Sequence, residues 1–201
     1  MIDIKQYIEN PKLALLQGNN LQPWQIIDNL DNILLQYIKT LDSDYKIENN
    51  IAIHKTATIE QGVTFKGTII ISENCFIGAH AYLRGPIFLS NSVTIGPGSE
   101  IKQSMLFDRT AVAHFNYIGN SILGQNINFE AGSLCANHYN ERHNKRIFIK
   151  HNNRLIDTKT EKFGSLVGDN SKIGANAVLS PGTILEKNSI VKRLELIEQI
   201  Q

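Results

Sequence analysis

From Ile53 onward a hydrophobic side chain recurs every sixth residue: Ile53, Ile59, Phe65, Ile71, Ile77, Leu83, Leu89, Ile95, Ile101, Phe107 and Ala113. All eleven are apolar and ten are large, in a chain whose hydrophobic fraction is only 42%. The phase slips at His114–Ile118, resumes with Leu123, Phe129 and Cys135, and returns after a gap as Val167, Ile173, Leu179, Leu185 and Val191. An amphipathic helix would repeat near 3.6 residues and a half-buried hairpin would alternate strictly, so neither fits. A fixed period of six fits a short strand plus a turn. Three such units make a coil of about 18 residues, and stacked coils share one continuous core. A small or aliphatic residue sits four places after the large one, as at Ala57, Ala81, Val93, Ala177 and Ser189. Two inward side chains per unit fill a narrow prism. Glycine often follows the apolar position, as at Gly78, Gly96, Gly119, Gly168 and Gly174, where a sharp turn leaves no room for a Cβ. The expected fold is a mainly-β parallel β-helix over residues 51–195.

Two regions stand outside the repeat. Residues 1–50 read as a helical N-terminal segment. Pro23 opens it, and Trp24, Ile26, Ile27, Leu30, Ile33, Leu34, Tyr37, Ile38 and Leu41 follow helical spacing. This stripe is expected to pack on the β-helix or on a partner subunit. Its polar side carries Asp28, Asp31 and Asp42, which argues against a membrane-surface helix. Residues 138–163 form a long polar insertion, with a two-stranded excursion expected through Ile147–Ile149 and Leu155–Ile156.

The charge balance, 20 basic against 19 acidic residues for a net +1, gives no reason to expect a nucleic-acid or membrane-surface partner. The start, MIDIKQYIEN, carries acidic residues and no apolar core, which reads against export. Cys75 and Cys135 fall at inward repeat positions where a small apolar residue suits, and are expected to be reduced, in a cytoplasmic protein.

The run AVAHFNYIGNSILGQNINFEAGSLCAN, residues 111–137, resembles the acetyltransferase domain of bifunctional N-acetylglucosamine-1-phosphate uridylyltransferases. Residues 142–185 resemble more closely the archaeal sugar-1-phosphate nucleotidyltransferase-acetyltransferases. Residues 21–38 resemble the connector helix of those enzymes. The resemblance implies a left-handed β-helix, usually a homotrimer with active sites between subunits. The handedness comes from the resemblance alone, because most crossover connections are right-handed. The chain has no Gly-rich nucleotide-binding loop and no room upstream for a nucleotidyltransferase domain, so only the acyl-transfer half is expected.

That half moves an acyl group from a thioester to an amine, and the amine must lose a proton. Histidine titrates in the right range to accept it. The resemblance assigns the base to His114 and its orienting acid to Glu100. It assigns Arg84 and Lys102 to the sugar phosphate, where arginine can place two parallel hydrogen bonds. Tyr117, Asn128 and Asn137 match its sugar-contacting positions. Ala131 and Ala175 mark its pantetheine path and supply backbone N–H donors for the oxyanion. Asparagine also suits left-handed turns, so Asn128 and Asn137 have a plain conformational reading as well. His80 sits at a turn corner with no role assigned.

The expected function is acetyl-CoA-dependent N-acetylation of an amino-sugar phosphate resembling glucosamine 1-phosphate. The alternatives are acylation of a nucleotide-linked sugar, and a non-catalytic trimer that partners a separate sugar nucleotidyltransferase. No metal is expected. His138 and His143 have the five-residue spacing found in hexapeptide-repeat carbonic anhydrases, but the upstream ligand position falls on Lys102. Two departures matter: His138 follows Asn137 where relatives often carry tyrosine, and fewer repeats follow toward the C-terminus, where coils help hold coenzyme A.

Overall fold

A computed structural model describes residues 1–10, 12, 16 and 21–200. The other positions of the expected 1–50 segment, 11, 13–15 and 17–20, lie outside the described residues. The repeat forms a parallel β-helix with three faces. One face stacks strands through Ile51, Ile69, Ile87, Met105, Ile122, Leu166 and Ile184. The second stacks Thr58–Ile59, Phe76–Ile77, Thr94–Ile95, Ala111–Val112, Asn128–Phe129, Lys172–Ile173 and Ile190–Val191. The third stacks Thr64–Lys66, Tyr82–Arg84, Glu100–Lys102, Tyr117–Gly119, Leu134–Cys135, Val178–Leu179 and Leu196–Ile197. An antiparallel strand, Tyr45–Glu48, covers the first rung by pairing with Ile51–His54.

The six-residue period works because every sixth side chain enters one dry prism. Ile71, Ile77, Leu83, Leu89, Ile95, Ile101, Leu123, Phe129, Cys135, Val167, Ile173 and Leu179 are all buried in it, with Cys75, Ala81, Val93 and Ala177 in the smaller positions. Burial pushes the thiols up, Cys75 to about 11 and Cys135 to about 12, so both are inert core atoms.

The phase slip lies earlier than the pattern suggests. Leu106, not Phe107, pairs in register with Leu89 and Leu123, and Val112, not Ala113, with Ile95 and Phe129. The strand Glu100–Leu106 runs continuously round a corner, with Gln103 in the left-handed region at φ 44°. The step from Ile101 to Leu106 is therefore one residue short. A second short step joins Ile118 to Leu123 across Asn120, at φ 48°. Phe107 is displaced outward into a second core.

That second core explains the N-terminal stripe. Helices α1, Pro23–Asp28, and α2, Leu30–Ile38, are separated at Asn29. They lay Trp24, Ile26, Ile27, Leu30, Ile33 and Leu34 on the outer surface of the first face, against Ala52, Ile70, Phe88, Met105, Phe107, Ile122 and Leu166. The stripe thus meets its own β-helix. Gln103 ties the corner to α1, its Nε2 donating to the Ile27 carbonyl at 3.0 Å.

The polar insertion holds the expected excursion as a hairpin, Phe148–His151 against Arg154–Asp157, with Ile149 opposite Ile156. Ile147, Ile149 and Phe163 are fully buried in the second core. Tyr139 donates to the Pro181 carbonyl at 3.0 Å, and Arg142 stacks on the Tyr139 ring at 3.6 Å. No helix among the described residues is long and apolar enough to cross a membrane.

Candidate active site

Two surface features converge near the slipped coil: an edge of the prism and a row of cations. The edge is the turn column between the second and third faces. It stacks Pro97, His114, Ala131, Ala175 and Arg193. Each rung is hydrogen-bonded to the next, through Phe115 N–H to the Pro97 carbonyl (3.2 Å), Gly132 to His114 (2.9 Å), Asn176 to Ala131 (3.0 Å) and Leu194 to Ala175 (2.9 Å). The residue after each column member stands in the left-handed region: Gly98, Phe115, Gly132, Asn176 and Leu194. Gly96, one step before, is required: a Cβ there would lie 1.4 Å from the Ala113 carbonyl oxygen.

His114 is exposed at this edge, and Phe115 beside it is 77% exposed at φ 53°. This is the turn conformation that every rung of the column adopts, Leu194 included. The imidazole has no hydrogen-bond partner among the described residues. Above it, the Ala131 N–H is also without a partner among the described residues. The Ala175 N–H is not free: it donates to Glu130 Oε2 at 2.9 Å.

The cation row lies across the third face. Lys66, Arg84 and Lys102 occupy one register position on successive coils, with Gly119 above them. Neighbouring strands are about 4.8 Å apart, so the three side chains form a ladder. Arg84 Nη2 donates to Glu100 Oε1 at 2.5 Å, and its guanidinium lies 5.7 Å from the Tyr82 ring centre. Arg84 Nε is buried without a partner. The Lys102 ammonium titrates below the usual lysine range, first because it is desolvated and then because Lys162 and Arg84 crowd it; Glu100 opposes the shift. Lys162 therefore belongs to the cluster.

Tyr117 is half-buried beside this row, and its hydroxyl lies over Gly119, where a Cβ would come within 2.6 Å. Burial, then the Glu100 carboxylate, pushes the phenol up. Asn137 is buried at the same corner, donating to Asn120 Oδ1 at 2.6 Å and facing His138 Nδ1 at 3.1 Å. Neither Asn128 nor Asn137 has a positive φ, so the turn-former explanation does not apply to them.

The structure thus brings Arg84, Glu100, Lys102, Tyr117 and Asn137 to one face, and His114, Ala131 and Ala175 to one edge. Asn128 stands on the second face with Lys172, beside Glu130 and Arg193. Within this chain, among the described residues, no hydrogen bond joins Glu100 to His114; the Glu100 carboxylate accepts from Arg84. Sequence reasoning missed Lys66 and Lys162. Lys66 was legible from its 18-residue spacing to Arg84 and Lys102; Lys162 had no such signal, because it reaches the face only through the insertion. Among the described residues no group of three or more His, Cys, Asp or Glu is placed to hold a metal. His151 instead meets the Tyr7 hydroxyl at 3.2 Å.

The family model described as the hexapeptide repeat of succinyl-transferase matches residues 68–101 and 166–192. Two stretches of the chain thus carry hexapeptide repeats of the kind that model describes. Among its relatives is the bifunctional protein GlmU of Methanococcus vannielii, 33% identical over 94% of this chain and 47% of that protein. A bifunctional sugar-1-phosphate nucleotidylyltransferase/acetyltransferase of Sulfurisphaera tokodaii is 29% identical over 80% of the chain and 41% of the relative. The bifunctional protein GlmU of Synechococcus elongatus is 34% identical over 69% and 28%. The chain spans about half the length of the curated relatives it matches most fully.

Proposed function

We propose that the chain is a CoA-dependent N-acetyltransferase for an amino-sugar phosphate. The observation that carries this reading is an exposed histidine under an unpartnered backbone N–H, with a ladder of cations across the adjoining face. His114 takes the proton from the attacking amine as the N–C bond forms and the thioester C–S bond breaks, then returns it to the departing thiolate. The Ala131 N–H faces the oxyanion of the tetrahedral intermediate. Arg84, Lys102 and Lys162 hold the phosphate. Glu100 positions Arg84, so its role shifts from orienting the histidine to orienting the guanidinium. Tyr117, Asn137 and Asn128 contact the sugar. The short side chains of Ala131 and Ala175 mark the course of an acyl-pantetheine arm along the edge.

His114 stands in the turn that precedes the strand Tyr117–Gly119, and the cation row lies at the far end of that strand, where Gly119 pairs with Lys102. The turn through Phe115 and the strand Tyr117–Gly119 lie between them, so the imidazole and the cations sit at opposite ends of that segment. In the reading proposed here a homotrimer completes the site, with the imidazole of one subunit facing the cations of the next.

Lys66 favours a second acceptor, since a third cation in line would suit the diphosphate of a nucleotide-linked sugar. The deciding experiment is thiol release from acetyl-CoA with glucosamine 1-phosphate, its nucleotide-linked counterpart and buffer alone. The phosphate monoester is expected to be preferred. His114→Ala is expected to lower turnover about 10²–10⁴-fold with the far-UV spectrum unchanged; full turnover by that variant would remove the base assignment. Absence of thiol release with every amino sugar, together with co-purification of a sugar nucleotidyltransferase, would instead favour a non-catalytic partner.

A further inference from the structure

The edge column carries one interaction that the acyl-transfer reading leaves unused. Glu130 stands on the rung above His114 and reaches across the next two. Its Oε2 accepts the Ala175 N–H at 2.9 Å and Arg193 Nε at 2.8 Å, while Oε1 accepts Arg193 Nη2 at 2.9 Å. The arginine and the peptide N–H both hold this carboxylate below the usual range, so it stays ionised at neutral pH. The pair lies over a cavity lined by Asn128, Lys172, Gly174 and Lys192. Half of this arrangement recurs elsewhere: Glu60 accepts the Ala79 N–H at 2.7 Å, one turn cap on an equivalent corner. Ala79 lies two rungs below His114 on the same column, and among the described residues only the Glu130 corner adds an arginine from a further rung.

From His114, rungs at Ala131 and Ala175 lead to Arg193, a rise of about 14 Å at ~4.8 Å per rung. A linear amide-containing arm laid along this edge would meet the Ala175 N–H midway and reach the cations Lys172, Lys192 and Arg193 at its far end. Both of its best partners are held by Glu130 in the free chain.

We propose that Glu130 is a donor-specificity residue: its carboxylate reserves the Ala175 N–H and Arg193, and a phosphorylated acyl-pantetheine donor binds by displacing it. This rests on the acyltransferase reading. The arm carbonyl takes the N–H, and the donor's phosphates take the arginine, which exchanges one carboxylate for stronger, multiply charged acceptors. A neutral pantetheine can claim the N–H alone and lacks the charge to draw off the arginine, so the pair discriminates against donors without phosphate.

The test is calorimetric binding of two probes, coenzyme A and unphosphorylated pantetheine, to the full chain and four variants. Glu130→Gln keeps an acceptor for the Ala175 N–H but releases Arg193; Glu130→Ala releases both. Coenzyme A is expected to bind both variants more tightly, by about fivefold or more, the scale of an exposed ion pair. Pantetheine is expected to gain with Glu130→Ala and not with Glu130→Gln, a split that simple charge repulsion does not produce. Arg193→Met is expected to weaken coenzyme A and leave pantetheine unchanged. Glu60→Ala, which removes the solitary cap, is expected to change neither. Unchanged affinity of both probes for Glu130→Ala, in a chain that does bind coenzyme A, would reduce Glu130 to a turn cap and overturn the proposal alone. If coenzyme A binds neither the wild-type chain nor any variant, the acyltransferase reading fails, and this proposal with it.

Discussion

Lys102 shows how a single side chain can report on a site. Its ammonium is partly desolvated and faces Lys162 and Arg84, and both effects favour the neutral amine. The charge is therefore lost as pH rises through a pKa below that of ordinary lysine. Phosphate binding at this row is expected to weaken on the alkaline side earlier than free lysine would dictate. The measurement is KM for the sugar phosphate against pH: wild type should show the rise, and Lys102→Arg should push it to higher pH. Most residues of the ladder and the edge are visible as letters in the sequence, and the resemblance names several. Their pairing is not visible. That Arg84 takes Glu100, or that Glu130 takes Ala175 and Arg193, depends on side chains meeting between rungs 16 to 63 residues apart. No local pattern encodes such distances.

At the scale of elements, the prism and the helices that wall it obey different periods, and the sequence reveals both. The six-residue pattern marks strand positions because each inward side chain must fill a fixed slot. It misplaces Phe107 and Ala113, since a corner turned with one residue fewer leaves the hydrophobic letters in place while changing which of them points inward. Leu106 and Phe107 are both large and apolar, so the sequence has no preference to offer; the register of the continuous strand decides. The helical stripe of α1 and α2 was legible, and its partner was not, because any apolar surface could receive it. Ile27 is fully buried in that contact, and its carbonyl takes the Gln103 amide at the short corner. Ile27→Ala is expected to destabilise the chain by about 2–5 kcal/mol, read as a lower denaturation midpoint. A loss well under 1 kcal/mol would show that the helices are not part of the cooperative unit.

For the whole molecule, the three faces have different fates. The first is covered by the helices and the insertion hairpin, and so is not available to other subunits. The second and third remain open, and they flank the edge that carries His114. The trimer we propose assembles through these two faces, with a histidine edge against a neighbour's cation row. Sedimentation equilibrium is expected to give three times the chain mass, and a stable monomer with full thiol-release activity would refute the shared site. The sequence could not specify this arrangement, since a hydrophobic or cationic row looks the same whether it faces water, substrate or another copy.

The antiparallel strand at the first rung has a further effect. A parallel rung exposes the same hydrogen-bonding template as the rung beneath it, so a bare end could accept strands from a neighbouring chain and extend without limit. Tyr45–Glu48 runs the opposite way and breaks that template on the face it covers. On that face the first rung is thereby covered, which removes one of three places at that end where a foreign strand could add in parallel.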